Sequence, residues 1–246
     1  MSVLAKGIKM LTLAEVMLEL EQLGTEQTRR TFVRHGAPLD QIFGVKVGDL
    51  KTILKKIKGR QDLALELYDT GNSDAMYLAG LTANGALMTK KQLESWAKKA
   101  SWSMISDYTV PWVASESPFA AELALKWIDA KQPMIVSSGW MTWSAIVAIR
   151  PDEELDLKVL EKLLERVVHE IHDSHNDVRS AMNGFVISVG GYVLPLQQKA
   201  RDAARKIGTV EVDMGDTACK VPVALEYIDK MIARGNAGKK RKTAKC

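Results

Sequence analysis

The sequence predicts an all-α protein, and three observations carry that expectation. From Leu11 to about Gly235 apolar residues recur at three- and four-residue spacing. The interruptions are helix-capping signals rather than alternating apolar and polar runs. The clearest segment, LDLKVLEKLLERVVHEIHD, sets Leu160, Leu163, Leu164, Val167, Val168 and Ile171 on one stripe.

Taken in order, Thr12 and Glu15 form a capping box ahead of Val16, Leu18 and Leu20, and Gly24 is expected as a left-handed stop. TEQTRRTFVRHG ends at Gly36, and a loop through Pro38 and Gly44 leads to VKVGDLKTILKKIKG, ending at Gly59. RQDLALELYDTG stops at Gly71, Asn72 caps NSDAMYLAGLTANG, and Thr89 with Gln92 boxes the start of TKKQLESWAKKAS. Ser117 and Pro118 take the N-cap and first position of a helix through Trp127, because proline lacks only a donor that the first turn leaves unused. Pro133 opens the next helix, and the striped one follows Pro151. Asn176 caps a helix holding Val178, Met182, Phe185, Val186 and Val189, and Pro195 opens one ending at Gly208. TVEVDMGDTACKV breaks the pattern: its alternation and Gly215 predict an irregular loop or short hairpin before a last helix, VPVALEYIDKMIARG.

Many short helices joined by tight turns, without heptads long enough for a coiled coil, predict antiparallel pairs stacked into a curved solenoid with a concave groove. A compact bundle is the alternative. Residues 1–235 are expected to form one solenoid domain and 236–246 a disordered basic tail.

Hydrophobic residues make up 46% of the 246-residue chain and charged residues 26%, an ordinary balance for a globular protein. No apolar run is long enough to cross a bilayer, and the N-terminus does not read as a secretory signal. Cys219 and Cys246 are too few for a disulfide framework, so the expected setting is the reducing cytoplasm. His169, His172 and His175 lack the HExxH spacing that places two imidazoles on one metal, and no phosphate-binding glycine loop is present; no metal or cofactor is expected.

The net charge of +4 is unevenly placed. Lys51, Lys55 and Lys58 share a helix face, as do Arg30 with Arg34 and Arg201 with Arg205, and five further cations end the chain in GKKRKTAKC. Such rows suit phosphate tracking, although solvated helix faces would read the same way. Asp107 lies in the most tryptophan-rich stretch, flanked by Trp96, Trp102 and Trp112. Those rings either form a surface that grips a nucleobase or sugar, or pack the core. A plainer reading of Asp107 is a surface acid paired with Lys98 or Lys99.

RRTFVRHGAP, then FGVKVGDLKTILKKIKGRQDLALELYDTGNSDAMYLAGL, then SWSMISDYTVPWV resemble, in that order, the DNA alkylation repair family of HEAT-like glycosylases, the AlkD-like proteins. The resemblance implies a C-shaped solenoid holding duplex DNA in a basic groove. Active members remove cationic N3- or N7-alkylated purines, using an aspartate and two tryptophans against the sugar and an arginine on the backbone. SWSMISD places Asp107 at the aspartate position; the first tryptophan position falls on Ser103, with Trp102 just before it. Trp143 stands at the arginine position and Phe185 at the second tryptophan position.

A carboxylate beneath the sugar would stabilise the positive charge that develops as the glycosidic bond breaks, and a cationic base is already a good leaving group. The resemblance therefore implies a monomer acting on alkylated duplex DNA without a cofactor, with Asp107 as electrostatic catalyst, Trp102, Trp143 and Phe185 as substrate-contact aromatics, and the three cationic rows as the DNA-binding face. The alternative is a non-catalytic scaffold for nucleic acid or a protein partner.

Overall fold

A computed structural model describes residues 11–215, 217 and 219–245. Among them are thirteen α-helices and no strand. The helices are α1 Leu13–Leu23, α2 Glu26–Arg34, α3 Val47–Ile57, α4 Gln61–Asp69, α5 Ser73–Thr82, α6 Lys90–Lys99, α7 Val110–Ser115, α8 Ala120–Ile128, α9 Pro133–Ile149, α10 Leu157–Glu170, α11 Asn176–Tyr192, α12 Gln197–Ile207 and α13 Ala224–Ala233. From α4 onward they pack as successive pairs, α4 with α5 through α12 with α13, and the second members touch along the row α5, α7, α9, α11, α13. That is the stacked arrangement expected of a HEAT-like solenoid. None of the helices is long and apolar enough to cross a membrane among the described residues.

The two rows have different compositions because they have different neighbours. Outer helices α10 and α12 are amphipathic, burying Leu160, Leu163, Leu164 and Val167, or Ala200, Ala203, Ala204 and Ile207, on one side only. Inner helices α5 and α9 are covered nearly all round, so their small residues matter. At Gly80 of α5 a Cβ would lie 2.6 Å from the Thr109 methyl, so glycine lets the segment after α6 settle directly onto α5. Two hydrophobic cores result, one N-terminal and one C-terminal. Helix α8 serves both, giving Leu123 and Trp127 to the first and Ala120, Ala124 and Ile128 to the second.

Local details depart from expectation at four places. Gly24 is not left-handed, at φ −62°; glycine is required because a Cβ there would lie 2.6 Å from the Phe43 carbonyl oxygen. Residue His175, not Asn176, is the N-cap of α11, its Nδ1 accepting from the Asp177 amide at 3.4 Å. Helix α8 begins at Ala120, two residues after Pro118, although Ser117 Oγ still accepts from the Phe119 amide at 3.2 Å.

The fourth departure is the tail. Expected as disordered, it lies against the C-terminal ends of the inner helices in the reverse of their chain order. The Gly238 amide donates to Gly191 O of α11 at 2.8 Å. Arg241 N donates to Ala148 O at 2.7 Å and Lys240 Nζ to Val147 O at 2.9 Å, both near the end of α9. Thr243 Oγ1 and the Ala244 amide reach Glu116, the C-cap of α7. Lys245 Nζ donates to Ala83 O and to Leu81 O at the end of α5. Each helix end leaves carbonyls without intrahelical partners and carries partial negative charge, so a basic segment is the complementary cover. Cys246 lies outside the described residues.

Candidate functional site

Asp107 sits in a π-helical turn, Ile105–Thr109, that runs into α7. Pro111 has no amide hydrogen, so the α-helical bond back to Asp107 cannot form, while the Val110 amide reaches Ile105 O instead. The widened turn is fixed to α9 by two serines opening that helix. Ser138 Oγ donates to Ser106 O at 2.7 Å, and Ser137 Oγ donates to Asp107 Oδ1 at 2.6 Å. Ser106 Oγ donates to the same Asp107 oxygen at 2.7 Å. Both hydroxyls thus converge on Oδ1.

Burial pushes the Asp107 carboxyl up to about 6; the hydrogen bonds from Ser137 and Ser106 oppose the rise, and the negative charge of Asp177 adds to it. No cation is among those influences. The surface-pair reading therefore fails, and Lys99 instead meets Asp69 at 2.6 Å.

A cleft of about 360 Å³ opens over Asp107. Its walls are the end of α2 at Arg34 and His35, the π turn with Ser103 and Tyr108, the start of α11 at Asn176 and Asp177, and the loop Val212–Gly215. Asn176 holds that loop through a reciprocal pair, Nδ2 donating to Asp213 O at 2.9 Å and Oδ1 accepting from the Asp213 amide at 2.7 Å. Gly215 brings the loop up to the Arg34 carbonyl, so N- and C-terminal parts of the solenoid meet across the cleft. Tyr108 is 46% exposed at its edge, its ring backed edge-on by Trp112 at 6.0 Å, which meets Tyr77 edge-on at 5.2 Å.

The three expected contact aromatics do not line this cleft. Trp102 is 4% exposed and packs on Phe32 with ring centres 5.7 Å apart. Trp143 is also 4% exposed, and Phe185, fully buried, packs on Trp140 at 5.3 Å. All belong to the two cores, Trp143 and Phe185 from inner helices α9 and α11 and Trp102 from the bend before the π turn. Ser103 is exposed at the cleft, where it leaves the mouth open.

The cationic rows divide. Arg30 pairs with Glu26 at 2.8 Å, Arg201 with Asp229 at 2.9 Å and Arg205 with Asp202, the last two on an outer helix. Lys51, Lys55 and Lys58 are exposed, and neither they nor Arg34 form an ion pair among the described residues. His172 Nε2 lies 2.9 Å from Ile207 O and His175 caps α11, so two of the three histidines have structural partners. Sequence reasoning missed Tyr108, Ser137, His35 and Asn176. Tyr108 adjoins Asp107 in the chain, but the surrounding tryptophans obscured it; Ser137 carries no local signal, and the local signal of Asn176 is that of a helix cap.

Three comparisons bear on this arrangement. A family model described as DNA alkylation repair enzyme matches residues 16–205. Protein Lin0241 of Listeria innocua, described as uncharacterized, is 35% identical over 233 residues, covering 92% of this chain and 100% of its own. Lmo0209 of Listeria monocytogenes, also described as uncharacterized, is 35% identical over 227 residues, covering 90% and 97%. A solved structure described as a new family of proteins related to the HEAT-like repeat DNA glycosylases with affinity for branched DNA structures superposes with a TM-score of 0.88. It is 38% identical, with 96% of this chain and 100% of that one covered. These matches bear out the resemblance seen in the sequence, and the fold is the curved HEAT-like solenoid. The chain belongs to the DNA alkylation repair enzyme family.

Proposed function

We propose that this chain binds branched DNA and does not excise alkylated purines. The observation that carries the reading is the burial of Trp102, Trp143 and Phe185 in the cores, which leaves Tyr108 at the cleft over Asp107 in place of the pair of tryptophans expected against a sugar cation. Asp107 also differs from an efficient electrostatic catalyst. Its Oδ1 is occupied by two serine hydroxyls. Affinity for DNA is supported by the family membership, by Lys51, Lys55, Lys58 and Arg34, which form no ion pair among the described residues, and by the solved relative's described affinity for branched DNA structures. The excision reading keeps two supporting observations, membership of a family described as DNA alkylation repair enzyme and a carboxylate at the floor of a cleft.

The test combines two assays. Mobility shifts with three-way and four-way junctions and with matched duplexes are expected to show tighter binding to the junctions, with log affinity falling linearly with log salt. Replacing Lys51 and Lys55 by Glu should weaken binding to all DNAs alike and shallow the slope by about two, one for each lost phosphate contact. Incubation with DNA containing 7-methylguanine or 3-methyladenine is expected to release no base above background. Release that disappears in Asp107→Asn would restore the glycosylase reading.

A further inference from the structure

We infer that the cleft over Asp107 is a pocket for one unpaired nucleobase, stacked on the ring of Tyr108. The inference rests on the reading of the chain as a branched-DNA binder and names what part of the branch it grips. Tyr108 is a large aromatic exposed on this cleft, at 46%. Its edge contact with Trp112, and that of Trp112 with Tyr77, fix the ring's orientation before any ligand arrives. An aromatic ring so held is a stacking platform for any base, because every base has a π face.

Size and charge narrow the occupant. At about 360 Å³ the cleft is at the small end of ligand sites, suited to a flat ring system and too small for a duplex. Asp107, Asp177 and Asp213 line it, a set that repels phosphate. The same carboxylates accept hydrogen bonds from the exocyclic amino groups of adenine, cytosine and guanine. Asp107 has Oδ2 to offer, since both serines use Oδ1, and Ser180 adds a hydroxyl on the α11 wall. Arg34 at the rim is the group placed to meet the backbone of the extruded nucleotide. Branch points suit such a pocket because their bases are unpaired or easily unstacked, so little energy is needed to draw one out.

The experiment uses the full chain and a three-way DNA junction carrying 2-aminopurine at an unpaired position of the branch, whose fluorescence falls when the base stacks. Wild-type protein is expected to quench it on saturation. Tyr108→Ala should remove the quenching and lower the ratio of junction to duplex affinity by roughly fivefold or more, the lower end of one lost stacking contact. Tyr108→Phe, which keeps the π face, should quench as wild type does, and an unchanged melting temperature for both variants excludes misfolding as the cause. Junction binding by the wild type without quenching, or equal quenching by Tyr108→Ala, overturns the inference and leaves the function reading intact. Binding of a lysine- or arginine-rich peptide that competes with quenching, while junction affinity stays unchanged, would also overturn it in favour of a protein ligand. Failure of the wild type to bind any branched DNA removes the function reading and this inference together.

Discussion

The inner helices meet their surroundings at two edges that are finished in opposite ways. At the C-terminal edge the tail supplies donors to the ends of α11, α9 and α5 and to the carboxylate of Glu116, the C-cap residue of α7. Starting beside the C-terminal core, it ends with Ala244 buried in the N-terminal one. At the N-terminal edge α5 is closed in a comparable way, its Asp74 accepting from the Phe43, Gly44 and Val45 amides at 2.7, 3.0 and 3.0 Å. The start of α11 faces the cleft instead, and that of α9 holds Asp107 through Ser137, where the carboxyl is kept against its preference for water. One edge adds stability; the other loses some to keep a carboxyl at an open cleft.

The largest expected effect tests the C-terminal edge as a whole. Ending the chain after Gly235 removes the tail bonds and the cover over the first core, and should cost about 3 kcal/mol, or roughly 10 °C in Tm. It should also loosen the coupling between the two cores, so that calorimetry shows a broadened or split transition. A Tm equal to the full-length value would mean that the tail contributes nothing to this edge. Next in size is a single contact. Lys245→Met keeps the stem but leaves Ala83 O and Leu81 O without their cation, which should cost about 2 kcal/mol in urea unfolding.

Why the tail escaped sequence reading is itself physical. Its partners are main-chain carbonyls 93 residues away for Lys240 and 162 for Lys245, and a carbonyl at a helix end has no letter in the sequence. A run of cations reads as solvated unless those acceptors are known. The helices were legible because their signals are local: the Thr12 and Thr89 capping boxes form, Asn72 caps α5, and the Leu160 to Ile171 stripe is buried apart from the half-buried Val168. At the cleft, Asp107 was legible through its resemblance. Ser137, 30 residues on, was not, since nothing in the chain marks which serine will face a carboxylate. Trp102, Trp143 and Phe185 misled because an aromatic ring suits a core and a binding wall equally well until its neighbours are known.

The smallest expected effect has the opposite sign and tests the cleft edge. Asp107→Asn keeps an oxygen for the hydroxyls of Ser106 and Ser137 but removes the charge that burial opposes. In the folded protein the carboxyl titrates at about 6, against an ordinary value of 3.8. Between those values the folded state holds a proton that the unfolded state has released. Stability of the wild type must therefore fall as pH rises through that window and stay reduced above it. A shift of about two units corresponds to roughly 3 kcal/mol. Partial exposure of the side chain to solvent lowers this, and about 1 kcal/mol is expected. The asparagine variant should thus be the more stable protein at pH 7.5 and match the wild type, or fall slightly below it, at pH 3.5. Urea midpoints at four pH values between those limits measure the difference directly. A constant gap across the range would show that Asp107 carries no such cost, and the two edges would then differ only in their cover.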